Sequence, residues 1–115
     1  MGQFHSSRQR ELFRALEKYR MLIFAAGPAG ISANYEGQFK VTTYSNEDRL
    51  EGDDGTFHVH IEWNRVKRIT VEEKVIEGRT EGMLTFWDGE ERLFRLYNPS
   101  RPFSAEITAF AGSLE

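Results

Sequence analysis

The chain has 115 residues, a length that supplies one domain with one hydrophobic core. Its 15 Lys and Arg against 18 Asp and Glu give a net charge of −3, which argues against a nucleic-acid-binding domain, a class that is normally basic. Hydrophobic residues make up 39% of the chain and aromatic residues 13%, so a folded chain is predicted. The absence of cysteine excludes disulfide scaffolds, zinc ribbons, iron–sulfur sites and cysteine nucleophiles.

The first element predicted along the chain is an amphipathic helix over residues 7–19. Ser6 or Ser7 can cap it, and the apolar side chains after the cap recur at helical spacing. Charged residues surround this apolar stripe, so we expect the helix to pack over a sheet. The apolar positions are Leu12, Phe13, Leu16 and Tyr19.

The pattern of residues 21–97 predicts about seven antiparallel strands separated by turns. The turn Ala26–Gly30 contains two glycines and a proline, and Asp88-Gly89 is a strong hairpin signal. The acidic stretch Ser45–Gly55 is predicted to be a surface loop, and Glu77–Glu81 a connection. A short closing helix is predicted over residues 104–111, with Ser104 as a possible cap.

This order of elements predicts an α+β fold in one domain, residues 1–115. No strand–helix–strand alternation is present, so we expect an antiparallel sheet that curls or splits into two layers, with a helix at each end. Exposed strand edges and an uncovered sheet face favour a homodimer. No apolar stretch approaches the ~20 residues that span a bilayer, and we expect a cytoplasmic protein.

The residues best suited to bind a metal ion or a ligand are two histidines in a segment with strand periodicity. In Phe57–Trp63, apolar residues alternate with polar ones, so His58 and His60 share a face at a spacing of about 7 Å. Imidazoles placed in this way can meet one metal ion or one planar ligand. The alternative is a polar row that faces solvent, as antiparallel sheets commonly have. A metal site would need a further ligand, for which the candidates are His5, Asp53, Asp54 and Glu62.

The chain carries no signature of a hydrolase. It has neither a His-Glu-x-x-His helix nor a Gly-x-Ser-x-Gly elbow, and no turnover is predicted. Three aromatic residues, Trp63, Trp87 and Tyr97, are candidates for a pocket or a subunit interface.

Three segments together resemble the haem-utilisation proteins of the HemS, ChuX and HutX type. The first is an apolar strand, a glycine turn and a strand that ends at a glycine, Met21–Gly37. The second is the pair His60-Ile61 followed by Arg65-Val66 and Ile69–Glu72. The third is the hairpin Leu84–Tyr97 with a basic stop at Arg101-Pro102. The resemblance covers about Met21–Pro102 and matches one structural half of the long, duplicated members.

The resemblance implies a small cytosolic protein that binds b-type haem and passes it on. His60 falls on the family's His-Leu position and His58 lies one strand repeat earlier. The position of an axial histidine in long members is filled here by Asn34, beside Tyr35, so His60 or Tyr35 is expected to ligate the iron. Arg65 or Arg95 is expected to contact a haem propionate. Glu62, where the family has a basic residue, departs from the pattern and would repel a propionate.

Two other interpretations of the sequence remain open at this point. The strands and closing helix also suit a pleckstrin-homology-like module that binds a protein or a lipid, although the turn Ala25–Gly30 holds no Lys or Arg for a phosphoinositide. The third reading is a divalent-metal site at His58 and His60 with an acidic partner.

Overall fold

The computed structural model shows an α+β fold, with two helices and eight strands in the part of the chain that it describes. It describes residues 11–27, 30–43, 48–52, 55, 57–62, 65–99 and 101–112. Helix α1 covers residues 11–16 of this part, and helix α2 covers Ala105–Gly112. The strands are β1 Leu22–Ala26, β2 Ala33–Gly37, β3 Phe39–Thr43, β4 Asp48–Gly52, β5 His58–Ile61, β6 Arg68–Ile76, β7 Arg79–Asp88 and β8 Glu91–Asn98.

The strands form two antiparallel sheets. The larger has the order β2-β1-β8-β7-β6, and the smaller has the order β3-β4-β5. Strand β8 returns to lie beside β1, with Ile23 opposite Tyr97 and Ala25 opposite Arg95. The described residues contain no helix long and apolar enough to cross a membrane.

Each sheet gives one face to a common hydrophobic core. Leu84, Phe86 and Leu96 enter it from the larger sheet, and Phe39 and Leu50 enter it from the smaller one. Both helices lie on this side of the larger sheet, since their apolar residues join the same core. These residues are Leu12, Phe13, Ala15, Leu16 and Ile107.

Aromatic rings connect the two sheets and the first helix in one continuous series. Tyr35 stacks on Phe57 at 4.6 Å between ring centroids, and Phe57 contacts Phe24 at 5.1 Å. Phe24 stacks on Phe94 at 5.3 Å, and Phe94 stacks on Phe86 at 4.2 Å. The series ends at α1, where Phe13 meets Phe86 edge-on at 5.7 Å. These contacts fix the position of the smaller sheet against the larger one.

The predictions for the two ends of the chain agree with the described residues. Helix α1 lies within the predicted range 7–19, whose first residues are outside the described part. Helix α2 begins directly after Ser104, whose side-chain oxygen accepts a hydrogen bond from the Ile107 amide at 3.4 Å. The hairpin at Asp88-Gly89 is confirmed, and Gly89 has a φ of 61°.

Two connections were predicted wrongly. Strand β4 crosses the stretch Ser45–Gly55 that was expected to be a loop, so the strands number eight rather than about seven. Leu50 is the one apolar residue of this strand, so the alternation that signals a strand is invisible there. The connection predicted at Glu77–Glu81 is only the two-residue turn Glu77-Gly78, and β6 and β7 continue to it on both sides.

Truncation in the middle of the aromatic series is expected to destabilise the fold strongly. Phe24→Ala removes the ring that contacts both Phe57 and Phe94, and we expect a loss of about 3–5 kcal/mol in the free energy of unfolding. Urea denaturation measures the loss. The control is Val75→Thr at a side chain that is 72% exposed, with an expected change within about 0.5 kcal/mol. Equal effects of the two substitutions would contradict the role of the series.

Candidate functional site

His58 and His60 lie side by side on the outward face of the smaller sheet. Both are exposed residues of β5, an edge strand, and their ring centroids are 5.3 Å apart. The alternate residues Val59 and Ile61 point inward and are half-buried and buried. The alternation predicted from the sequence is therefore confirmed over the described residues, and Trp63 lies outside them.

Charged and polar groups surround the histidine pair on this face. Glu51 of β4 is the register partner of His58 and of Lys40, and it accepts a hydrogen bond of 2.7 Å from the Thr42 hydroxyl. No group of three or more His, Asp or Glu side chains able to hold a metal ion occurs among the described residues. The candidates His5, Asp53 and Asp54 lie outside that part of the chain.

Tyr35 lies on the opposite side of β5 from the histidines. Its ring is half-buried between Phe57 and Phe39, and its hydroxyl lies over the backbone of Gly52, where a Cβ would overlap it. The glycine at position 52 therefore makes room for this phenol. Strand β5 lies between the Tyr35 phenol and the His60 imidazole, so the two side chains do not converge on one point.

Asn34 and Arg95 lie on the face of the larger sheet that points away from the core, here called the outer face. Asn34 is opposite Ala25, which is opposite Arg95, so the three form one row across β2, β1 and β8. Asn34 is exposed and accepts a hydrogen bond of 2.6 Å from the Ser32 hydroxyl. Two strand spacings, about 10 Å, separate the backbones of Asn34 and Arg95.

A groove of about 310 Å³ opens on the outer face beside this row. Arg92, Arg95 and Tyr97 form its polar side, and the β1–β2 turn closes one end. Gly27 gives this turn its shape because a Cβ there would overlap the carbonyl oxygen of Ile31. The lining consists of Ala25, Ala26, Gly27, Gly30, Ile31, Ser32, Arg92, Arg95 and Tyr97.

Arg65 lies elsewhere, next to the β7–β8 hairpin. Its Nε donates to the Asp88 carboxylate at 2.8 Å, and its Nη2 donates to Glu91 at 3.4 Å. The hydrogen bond to Asp88 and the nearby negative charge raise the pKa of the Arg65 guanidinium. The side chain is exposed, so the pairing is screened by water and remains open to exchange.

The six predicted site residues therefore fall into four places. His58 and His60 come together, Asn34 and Arg95 share the outer face, and Arg65 stands apart, while Tyr35 is in the core. Tyr97 was predicted as a pocket candidate, but the sequence did not join it to Arg92 and Arg95 in one site. The spacing of Arg92 and Tyr97 to Arg95 on one strand was a signal, but a β-bulge between Phe86 and Trp87 alters the register there.

The comparisons with known proteins find similarity in structure alone. No family model and no curated protein matches the sequence. A crystal structure of the haem-binding protein ChuX superposes with a TM-score of 0.64 at 12% identity, over 91% of this chain and 69% of that one. Holo-PhuS, a haem-binding protein from Pseudomonas aeruginosa, gives a TM-score of 0.68 at 15% identity, over 95% of this chain and 33% of that one.

A third structure comes from an enzyme. ChuS, described as an E. coli haem oxygenase, gives a TM-score of 0.67 at 16% identity, over 96% of this chain and 35% of that one. The chain thus spans about a third of the length of the PhuS and ChuS chains. The resemblance found in the three sequence segments is confirmed: the chain has the fold of the ChuX- and HemS-type haem-utilisation proteins.

Proposed function

We propose that this protein binds haem and passes it on. The fold is shared with haem-binding proteins over more than nine-tenths of the chain. The observation that carries the proposal within the chain itself is the exposed pair His58 and His60, whose rings lie 5.3 Å apart on an edge strand. Neutral imidazole is a standard axial ligand of haem iron.

His60 is the proposed axial ligand, and His58 is the proposed second ligand or hydrogen-bond partner. Both rings are exposed, so a planar ligand can approach them without moving the core. Tyr35 is the proposed alternative ligand, as a tyrosinate. To reach iron, its phenol has to leave the stacked contact with Phe57, so His60 requires the smaller rearrangement.

The two proposed propionate contacts require two different placements of the haem on the protein. Arg65 follows β5 by four residues and suits a haem held at His60, if its pairs with Asp88 and Glu91 open. Arg95 suits a haem on the outer face, where Asn34 would contact the ring edge. One haem does not reach both His60 and Arg95 in the same chain, because the two sheets and their common core lie between these outward faces.

Haemin titration tests the ligand assignment. We expect saturable binding with a Soret shift, and a loss of about tenfold or more in affinity for His60→Ala, because the iron loses its axial ligand. Lys40→Ala changes an exposed side chain on the same sheet face and is the matched control, with an expected change under twofold. If His60→Ala and Tyr35→Phe both leave affinity and Soret position unchanged, the assignment is wrong.

We also propose that the chain forms a homodimer through the outer face. Trp87 and Ile23 are only half-buried there, while the described helices lie on the core side of the sheet, and the proposed contact leaves the groove at Arg92 and Arg95 open. If this face packs against the same face of a second chain, these apolar groups are removed from water. Such a contact has twofold symmetry, so it closes at two chains.

Light scattering tests the dimer. We expect twice the chain mass of 13.3 kDa for the wild-type protein, and one chain mass for Ile23→Lys, because an ammonium group on a face that already carries Arg92 and Arg95 cannot be buried without a partner. Val75→Lys adds the same charge at a 72% exposed position of the edge strand β6 and should leave the dimer intact. A monomeric wild-type protein at micromolar concentration would refute the proposal.

A further inference from the structure

The groove on the outer face concentrates positive charge that no carboxylate of the described residues balances. Arg92 and Arg95 both line it, and neither makes an ion pair with an acidic side chain among the described residues. Arg95 is half-buried, so part of its charge is withdrawn from water. Two guanidinium groups that share one groove repel each other, and an anion between them would relieve this cost.

The hydrogen bonds of Arg95 are also incomplete. Its Nη1 donates to the Tyr97 hydroxyl at 3.4 Å, which is a long contact, and its buried Nε has no acceptor in the described part of the chain. Thr85, the register partner of Arg95 on β7, is fully buried and its hydroxyl likewise lacks a partner there. A buried donor without an acceptor is unfavourable, and an acceptor supplied by a bound ligand would complete the hydrogen bonding of Arg95.

The size and the lining of the groove restrict the ligand. Ala25, Ala26 and Ile31 add apolar groups to the lining, Ser32 adds a hydroxyl, and a volume of about 310 Å³ suits a small organic group. Arginine presents a planar fork of donors that matches a carboxylate in two parallel hydrogen bonds. The Tyr97 hydroxyl can give a further hydrogen bond to the same group.

We propose that Arg92, Arg95 and Tyr97 form a carboxylate-binding site that takes the acid group of an apolar ligand. The carboxylate can come from a porphyrin side chain or from a small free acid. The porphyrin source rests on the proposed function, whereas the small-acid source is independent of it. The site does not involve His58 or His60, so it can be tested without iron.

Metal-free protoporphyrin IX, its dimethyl ester and succinate are the probes, each titrated at constant ionic strength. Arg92→Gln and Arg95→Gln each remove one guanidinium from the groove, and the exposed Arg92 is the substitution that least disturbs folding. Arg14→Gln removes the same charge from the exposed side of α1 and is the matched control. Unfolding curves verify that all three variants fold.

We expect protoporphyrin to bind at one site per chain and the dimethyl ester to bind at least about tenfold more weakly. Each groove variant should weaken the carboxylate form roughly ten- to a hundredfold, as for a lost hydrogen bond to a charged group, and Arg14→Gln should not. Succinate binding that the groove variants weaken, with no preference for the free porphyrin acid over its ester, would support the site with a small acid as its ligand.

The proposal is overturned if both groove variants bind protoporphyrin and succinate as the Arg14→Gln control does. The His60→Ala variant separates this result from failure of haem ligation. Metal-free porphyrin has no iron to ligate, so its binding should be unchanged by His60→Ala if the groove holds it. If haemin binding does not depend on His60 but the groove variants weaken porphyrin binding, the proposed axial ligand is wrong and the carboxylate site is supported. If haemin binding depends on His60 but the groove variants bind porphyrin normally, the carboxylate site is wrong and the axial ligand is supported.

Discussion

The structure depends on the aromatic contacts that hold the smaller sheet against the larger one. A three-stranded sheet of four- and five-residue strands has too little apolar surface to be stable alone. Phe57, which precedes β5, contacts both Tyr35 and Phe24 of the larger sheet and so joins the two layers. Because this contact orders the start of β5, it also sets which way His58 and His60 point.

The same layering separates the chemical groups of the chain. Alternation along a strand sends every second side chain outward, so a two-layer core creates two outward faces with no direct communication. One face carries two imidazoles among charged neighbours, and the other carries two arginines beside an apolar wall. Ligand binding on either face leaves the aromatic contacts untouched, so stability and recognition can vary separately.

The likeness to haem-binding structures at 12–16% identity concerns the arrangement of strands and helices. A fold of this kind can host different sites, so the ligand that a chain binds depends on its particular side chains. Asn34 is placed where the resemblance suggests a histidine, and amide groups are poor ligands for iron. The exposed histidines on the smaller sheet and the unbalanced arginines on the larger one are features of this chain's own residues.

Local features could be predicted from the order of the residues. Alternation identified β5 and its two faces, Asp88-Gly89 identified the β7–β8 hairpin, and Ser104 marked the start of α2, because each depends on neighbouring residues. Strand β4 was not predicted, because its single apolar residue, Leu50, gives no alternation of apolar and polar residues. Only the tertiary structure decided which distant residues share a site. Strand order brings β8 beside β1 and so joins Arg92, Arg95 and Tyr97 to the β1–β2 turn, about 65 positions earlier in the chain. It also places the core between His60 and Arg95, which no local pattern can reveal.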